Sequence, residues 1–284
     1  MTNSNSFGIL GGDRRQIALA ESIAADGYTV YVCGFDAVPF TGKVGKADPA
    51  ELVNLCENII LPLPVTADGK HLKMDYSDLK LRLDDAFAEL LRGKQVFGGM
   101  MGKLFQTSDL WDSIDTYDYY TREEFAVRNA VPTAEGAVEI AMREYPGTVS
   151  GSKCLVTGFG RTGKILAAKL KGIGARVTVG ARKQSDFAWI EAYGYEVADT
   201  RKLGGRFDLV FNTVPAVIFT KDVLVKLPGR PLLIDLASPP GGVDYPVAEA
   251  AGFKVIHALS LPGKVAPRAA GEIIKRTIYH IMEE

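Results

Sequence analysis

The chain has 284 residues, with 33 Lys plus Arg against 34 Asp plus Glu, a formal net charge of −1, and 47% hydrophobic against 24% charged residues. Near-neutrality excludes the basic surplus that a phosphate-backbone binder needs, so no nucleic-acid partner is expected, and the apolar content excludes a disordered chain. The length allows about two domains of ordinary size.

In chain order, Phe7-Gly8-Ile9-Leu10 reads as a strand running into Gly11-Gly12-Asp13, and Ile17, Leu19, Ala20 and Ile23 mark the helix that follows. Tyr28–Val32 is a second strand; Asn58–Leu61 and Gln95–Phe97 are short apolar runs ended by Pro62 and Gly98. Alternating strand and helix implies a parallel sheet covered by helices. From Thr121 to about Tyr145 the pattern is helical, interrupted at Asn129–Thr133, with Thr133 expected to cap a second helix that Pro146-Gly147 stops. Strands then recur at Lys153–Thr157, Arg176–Val179, Asp208–Phe211, Pro231–Ile234 and Lys254–Ile256, with a helix over Arg161–Lys171. A last helix from about Ala266 carries Ile273, Ile274, Thr277, Ile278 and Ile281 on one face.

The expected fold is therefore α/β, with two Rossmann-like parallel-sheet domains and a cleft between them. Residues 1–147 form an N-terminal substrate and partner domain that includes the connector helix. Residues 148–265 form the dinucleotide-binding domain, and 266–284 a C-terminal helix free to pack back on the first domain.

Gly158-Phe159-Gly160-Arg161-Thr162-Gly163 fits G-x-G-x-x-G. It follows a strand and opens a helix inside a β-α-β unit from Lys153 to Gly180, the context that separates a dinucleotide fingerprint from a chance match. Gly158 allows the tight turn, Gly160 lets a diphosphate approach the backbone, and Gly163 lets helix and strand pack closely. Free N–H groups and the helix dipole then face the anion.

An NAD site places Asp or Glu about 20 residues further on, at the end of the second strand. Here the chain reads Ala181-Arg182-Lys183-Gln184-Ser185. A carboxylate would repel a 2′-phosphate, whereas Arg offers it a charge-assisted fork. The expected cofactor is NADP, with Arg182 as main contact and Lys183 and Ser185 as secondary ones; the alternative is a solvated surface Arg182.

Ligands of open α/β sheets bind beyond the carboxyl ends of the strands. Three such ends are built from Gly, Pro and small polar residues: Asn212-Thr213-Val214-Pro215, Asp235-Leu236-Ala237-Ser238 onward, and Leu259 to Pro267. They read as the nicotinamide floor, with ordinary turn chemistry as the alternative. In the first domain, Gly11-Gly12-Asp13-Arg14-Arg15-Gln16 puts two guanidinium groups at a helix start, an anion site better suited to a carboxylate substrate than to a second nucleotide. The alternative is an N-capping Asp13 with exposed arginines. For acid–base chemistry His257 is the first candidate, with Glu135, Lys264 and Asp235 as rivals; the alternative for His257 is a packed or capping residue at a strand end.

No run of about 18 apolar residues predicts a membrane span. The opening residues Met1–Ser6 lack the basic and apolar regions of a leader. Cys33, Cys56 and Cys154 give neither a disulfide framework nor a CxxC pair, and His71, His257 and His280 have no paired spacing, so no metal site is expected and a reducing cytoplasm is the natural compartment.

Several motifs occur together in order: Gly11–Gln16, Gly34-Phe35-Asp36, Ile60-Leu61-Pro62, Pro132–Gly136, Gly160–Lys164, Val179–Arg182, Asn212–Pro215, Asp235–Ser238, Leu261-Pro262-Gly263 and Val265-Ala266-Pro267. Over nearly the whole chain the set resembles the A subunits of dipicolinate synthase from endospore-forming bacteria. Where that pattern runs Lys-Thr-Ala-Gly, this chain has Arg268-Ala269-Ala270-Gly271, which keeps the charge and drops a hydroxyl; Phe159 stands where a Leu is expected.

The resemblance implies an enzyme that oxidises a dihydrodipicolinate, formed from 4-hydroxy-tetrahydrodipicolinate by loss of water, to pyridine-2,6-dicarboxylate. It implies a partner in the form of a second, flavoprotein-like subunit, an oligomeric assembly, and the cytoplasm of the mother cell of a sporulating bacterium. Expected substrate contacts are Asp13, Arg14, Arg15, Thr133, Pro262, Gly263 and Arg268. Two other readings stay open: a two-domain NADP dehydrogenase of the shikimate or methylene-tetrahydrofolate type, or a non-catalytic partner subunit that binds NADP only to hold its fold.

Overall fold

The computed structural model describes residues 6–284; residues 1–5, which belong to the stretch without leader features, lie outside the described residues. The chain divides into two compact units, one running to Arg128 and taking in Ala266–Glu284, the other Asn129–Val265.

The first unit contains β1 (Ser6–Leu10), α1 (Arg14–Ala25), β2 (Thr29–Cys33), β3 (Val44–Lys46), α2 (Pro49–Leu55), β4 (Asn58–Ile60), α3 (Asp85–Leu90), β5 (Gln95–Gly98) and β6 (Asp115–Asp118). A single helix, α4 (Glu123–Glu144), follows. The second unit contains β7 (Lys153–Thr157), α5 (Arg161–Gly172), β8 (Arg176–Ala181), α6 (Gln184–Ala192), β9 (Glu196–Asp199), β10 (Leu209–Asn212), α7 (Lys221–Leu224), β11 (Leu232–Asp235), α8 (Tyr245–Ala250), β12 (Val255–His257) and α9 (Leu261–Val265). The chain ends in α10 (Pro267–Glu283).

Both sheets are six-stranded, ordered β3-β2-β1-β4-β5-β6 and β12-β11-β10-β7-β8-β9, and every named strand pairing is parallel. This is the doubly wound order of dinucleotide-binding folds, with a switch point between β1 and β4 and another between β7 and β10. Each sheet is covered on both faces, which is why its central strands read as unbroken apolar runs. In the second unit Cys154 and Val156 join the core cluster of α4 and α5, while Leu155, between them, joins the cluster of α7 and α8. In the first unit Phe7 and Ile9 pack with α1 and α10, and Leu10 and Ile59 with α2 and α3.

Helix α4 corrects the expected break at Asn129–Thr133. It runs through Pro132, because the buried stripe Ala130, Ala134, Ala137 and Ala141 continues across the proline. Pro132 has no N–H to donate to the carbonyl four residues back, that of Arg128. The division between the units falls at that same place. Thr133 is not a cap: its hydroxyl donates to Asn129 O at 2.8 Å inside the helix.

Helix α10 runs parallel to α1. A Cβ on Gly271 would lie 2.8 Å from Arg15 O, Lys275 pairs with Asp26 at 2.8 Å, and the Tyr279 hydroxyl donates to Asp26 at 3.0 Å. The starts of α1 and α10, with exposed Arg14 and Arg268, therefore lie at one end of the unit.

Cys33, Cys56 and Cys154 are free and buried, and burial pushes each thiol up to about 11. Among the described residues no helix is long and apolar enough to cross a membrane, and no His, Cys, Asp and Glu group is placed to hold a metal.

Candidate dinucleotide site

The turn from β7 into α5 has the geometry its glycines promise. Gly158 has φ +96, a left-handed conformation, and a Cβ there would sit 2.3 Å from Thr213 Oγ1. A Cβ on Gly163 would sit 2.0 Å from Gly158 O, so only glycine lets α5 rest on the strand end. A Cβ on Gly160 would meet nothing within 4 Å. Gly160 is also the N-cap of α5 and makes no side-chain cap bond. Amides of a first helical turn, here those of Thr162 and Gly163, have no acceptor within their own helix; with the space over Gly160 open at the positive end of α5, the turn forms a cradle that fits a diphosphate. The Phe159 ring is buried, 6.1 Å from the Tyr193 ring, with the Lys164 ammonium 5.1 Å from its centroid, so only the backbone of Phe159 is left to the turn.

At the end of β8, Ala181 is buried and Arg182, Lys183 and Ser185 are exposed, with no acid directly after the strand. The loops after β10 and β11 are held by a buried polar network. Asn212 Oδ1 accepts from Thr157 Oγ1 at 2.8 Å and from Val214 N at 3.1 Å, and Asn212 Nδ2 donates to Val214 O and to Asp235 Oδ1 at 3.0 and 2.8 Å. Asp235 is fully buried. Its oxygens also accept from Ala237 N at 3.1 Å, Gly242 N at 2.7 Å and the Tyr245 hydroxyl at 2.7 Å. Burial and the Asp235 carboxylate together push the Tyr245 phenol up. With both oxygens taken by donors, Asp235 anchors the loops that carry Val214, Pro215, Leu236 and Ala237, which leaves it unsuited to moving a proton. Thr213 is pinned by its own hydroxyl on Thr157 O at 2.8 Å.

His257 ends β12, exposed, with Nε2 on Ala237 O at 3.0 Å and its ring 5.3 Å from that of Tyr245. A carbonyl can only accept, so Nε2 carries the proton and Nδ1 the lone pair of the neutral ring. Glu135 lies on α4 and pairs with Lys169 at 2.8 Å, away from the fingerprint turn and beside the last turn of α5. Pro262 is buried, Gly263 half-buried and Lys264 exposed on α9. A Cβ on Gly136 would be 3.0 Å from Leu261 Cβ, so the Pro132–Gly136 and Leu261–Gly263 motifs meet as a close helix contact.

The first unit's glycine turn is different in kind. Gly12 donates to Lys73 O at 2.9 Å and Asp75 N donates to Gly12 O at 3.1 Å, so the chain itself lies across the turn. A Cβ on Gly11 would be 2.5 Å from Lys73 O. The start of α1 is closed by Asp13, which accepts from Arg15 N at 3.0 Å while its own N–H donates to Gln16 Oε1 at 3.0 Å. Arg15 is 5% exposed; it bonds Asp13 through Nε at 2.9 Å and Nη2 at 2.6 Å and also donates to Leu63 O. Lys73 adds a third contact to Asp13 at 2.8 Å. Burial alone would raise the Asp13 carboxyl, but the Arg15 guanidinium and the Lys73 ammonium outweigh it and hold the group well below the usual carboxylate range. Of the two arginines expected to meet a carboxylate, Arg15 is therefore spent on Asp13 and Arg14 is exposed.

One open and one self-filled turn on two sheets of the same order define a two-unit α/β protein with a single dinucleotide-binding fingerprint. Residues 125–227 match the family described as D-isomer specific 2-hydroxyacid dehydrogenase, NAD binding domain, and residues 6–119 the family described as the N-terminal domain of the dipicolinate synthase A subunit. The whole chain is 30% identical to the A subunit of dipicolinate synthase from Bacillus subtilis (strain 168), with 98% of that protein covered. The crystal structure of the A subunit of dipicolinate synthase from Bacillus halodurans superposes with a TM-score of 0.86 at 29% identity, covering 100% of this chain and 99% of that one. A transhydrogenase from Sinorhizobium meliloti, 14% identical with a TM-score of 0.69 over 97% of this chain and 93% of that one, shares the fold. The chain belongs to the family of dipicolinate synthase A subunits.

Proposed function

We propose that this chain is the NADP-dependent dehydrogenase subunit of a dipicolinate synthase. Its substrate is a dihydropyridine-2,6-dicarboxylate, formed when 4-hydroxy-tetrahydrodipicolinate loses water. Loss of one hydride and one proton gives pyridine-2,6-dicarboxylate. The observation that carries the reading is the β8 end, where Arg182 stands in place of an acid beside the uncapped start of α5. The NADP bound there supplies the hydride acceptor.

The chain's own residues bind and orient. Gly160 and the amides of Thr162 and Gly163 receive the diphosphate, with Arg161 on the same turn. Arg182, Lys183 and Ser185 receive the 2′-phosphate. Ala181, Asn212, Thr213, Val214, Pro215, Leu236 and Ala237 line the adenosine and nicotinamide sides. Arg14 and Arg268, exposed at the parallel starts of α1 and α10, pair with substrate carboxylates, and Asp13 with Arg15 keeps that helix start rigid. His257 Nδ1 takes the ring proton, and Lys264 is the second candidate for that role. Aromatisation makes hydride loss favourable, so orientation contributes more than strong acid–base help. A second, flavoprotein-like subunit completes the enzyme in the mother-cell cytoplasm.

The test mixes the chain with its second subunit, NADP and freshly made 4-hydroxy-tetrahydrodipicolinate. NADPH and pyridine-2,6-dicarboxylate are expected to appear in equal amounts. Pyridine product without reduced cofactor would overturn the dehydrogenase assignment, and equal kcat/KM with NAD would overturn the choice of NADP.

A further inference from the structure

A second arginine stands beside Arg182 at the sheet edge. In the β8–β9 ladder Ala181 lies directly opposite Asp199, and neighbouring strands are about 4.8 Å apart. The residues that follow, Arg182 and Lys183 on one side and Thr200, Arg201 and Lys202 on the other, therefore leave the sheet side by side. The buried Thr200 hydroxyl donates to Ala181 O at 3.2 Å and ties the two exits together. Asp199 fixes the outer one: it accepts from Arg201 N at 2.9 Å and takes the Nε and Nη2 edge of the guanidinium at 2.9 and 2.6 Å. Nη1 is left on the opposite edge of a side chain that is 62% exposed.

We infer that Arg201 is a second specificity-determining cation for a phosphomonoester dianion at this end of the sheet, the 2′-phosphate of the dinucleotide. The inference rests on the reading of Arg182 given above and adds a residue to it. Arg182, Lys183, Arg201 and Lys202 are all exposed here, in a chain whose net charge is −1. Of the acids within five residues of these cations, Asp199 is held by Arg201, Asp186 is half-buried, and Glu196 stands at the opposite end of β9, accepting from the Thr178 hydroxyl at 2.9 Å. Arg201 acts in two ways. It cancels the Asp199 carboxylate, which would otherwise repel a dianion, and it offers Nη1 to a phosphate oxygen.

The test titrates the full chain with 2′,5′-ADP and with 5′-ADP by calorimetry, in wild type, Arg182→Ala, Arg201→Ala and Arg201→Lys. Arg201→Ala is expected to weaken 2′,5′-ADP about tenfold or more, the loss of one charge-assisted contact, and to leave 5′-ADP within about twofold. Arg201→Lys should fall between, since it keeps the charge and loses the fork. Unchanged 2′,5′-ADP binding in Arg201→Ala, or equal weakening of both ligands, overturns the inference. A wild type that binds both ligands equally sinks the NADP reading as well. A preference lost in Arg182→Ala and intact in Arg201→Ala sinks only the role of Arg201.

Discussion

Asn212 and Asp235 end two adjacent strands, and a 2.8 Å hydrogen bond from Asn212 Nδ2 to Asp235 Oδ1 joins them at a fully buried point. Three further donors, from Ala237, Gly242 and Tyr245, complete the carboxylate. A Cβ on Gly242 would be 2.0 Å from Asn212 Nδ2, so the cluster has no room to rearrange.

Asp235→Asn would turn an amide NH₂ toward donors and leave at least one of them unpaired. The expected loss is about 2–3 kcal/mol, the cost of a buried unsatisfied polar group. The urea midpoint should fall at unchanged m. A shift equivalent to less than about 0.5 kcal/mol, the range of an ordinary surface change, would show that the network does not hold the loops.

The fingerprint glycines separate folding from binding. Gly160 has φ −83 and open space around its missing Cβ, so Gly160→Ala is expected to keep the melting temperature while weakening dinucleotide binding about tenfold or more, because the new methyl fills the diphosphate cradle. Gly163→Ala, which places a Cβ 2.0 Å from Gly158 O, should lose both. Thermal denaturation and a binding titration on the same samples check this; unchanged binding in Gly160→Ala would move the diphosphate elsewhere.

Much of this site was legible in the sequence because it rests on backbone shape, which glycine reports directly. The strands beneath it were legible for the same local reason, as unbroken apolar runs such as Cys154–Val156. The edge strands β3, β6 and β9 were not: Val-Gly-Lys, Asp-Thr-Tyr-Asp and Glu-Val-Ala-Asp are short and polar, as edges facing water are. The continuous α4 was hidden because a proline rule about local hydrogen bonding lost to burial of its alanine stripe. The fate of Arg15 was hidden too, since Lys73, which closes the same cluster, is remote in sequence. Tyr245 gave no signal at all, being one tyrosine among 11.

Asp13→Asn tests the self-filled turn. It removes one member of a largely buried charge cluster and leaves Arg15 uncompensated, an expected loss of about 3–5 kcal/mol at neutral pH. The Asp13 carboxyl is depressed in the folded state, so its stabilisation is complete above the unfolded value of about 4 and is lost as pH falls toward the folded one. The gap between wild type and variant in denaturant midpoints should therefore narrow from pH 7 to about pH 3. A gap that widens on acidification would contradict the assignment.

Arg14 and Arg268, unlike Arg15, are exposed, so their replacement separates substrate contact from stability. The double variant Arg14→Ala with Arg268→Ala should raise KM for the dicarboxylate about tenfold or more, with stability changed by less than about 1 kcal/mol. Steady-state kinetics of the reconstituted enzyme beside a melt of the variant chain checks both. Unaltered KM would remove these arginines from the substrate side.

A crystal structure of the chain with NADP tests the central claim most directly. The account predicts the diphosphate within hydrogen-bonding distance of the Thr162 and Gly163 amides and the 2′-phosphate on Arg182. A diphosphate at the Gly11-Gly12 turn of the first unit, or a 2′-phosphate with no arginine beside it, would contradict it.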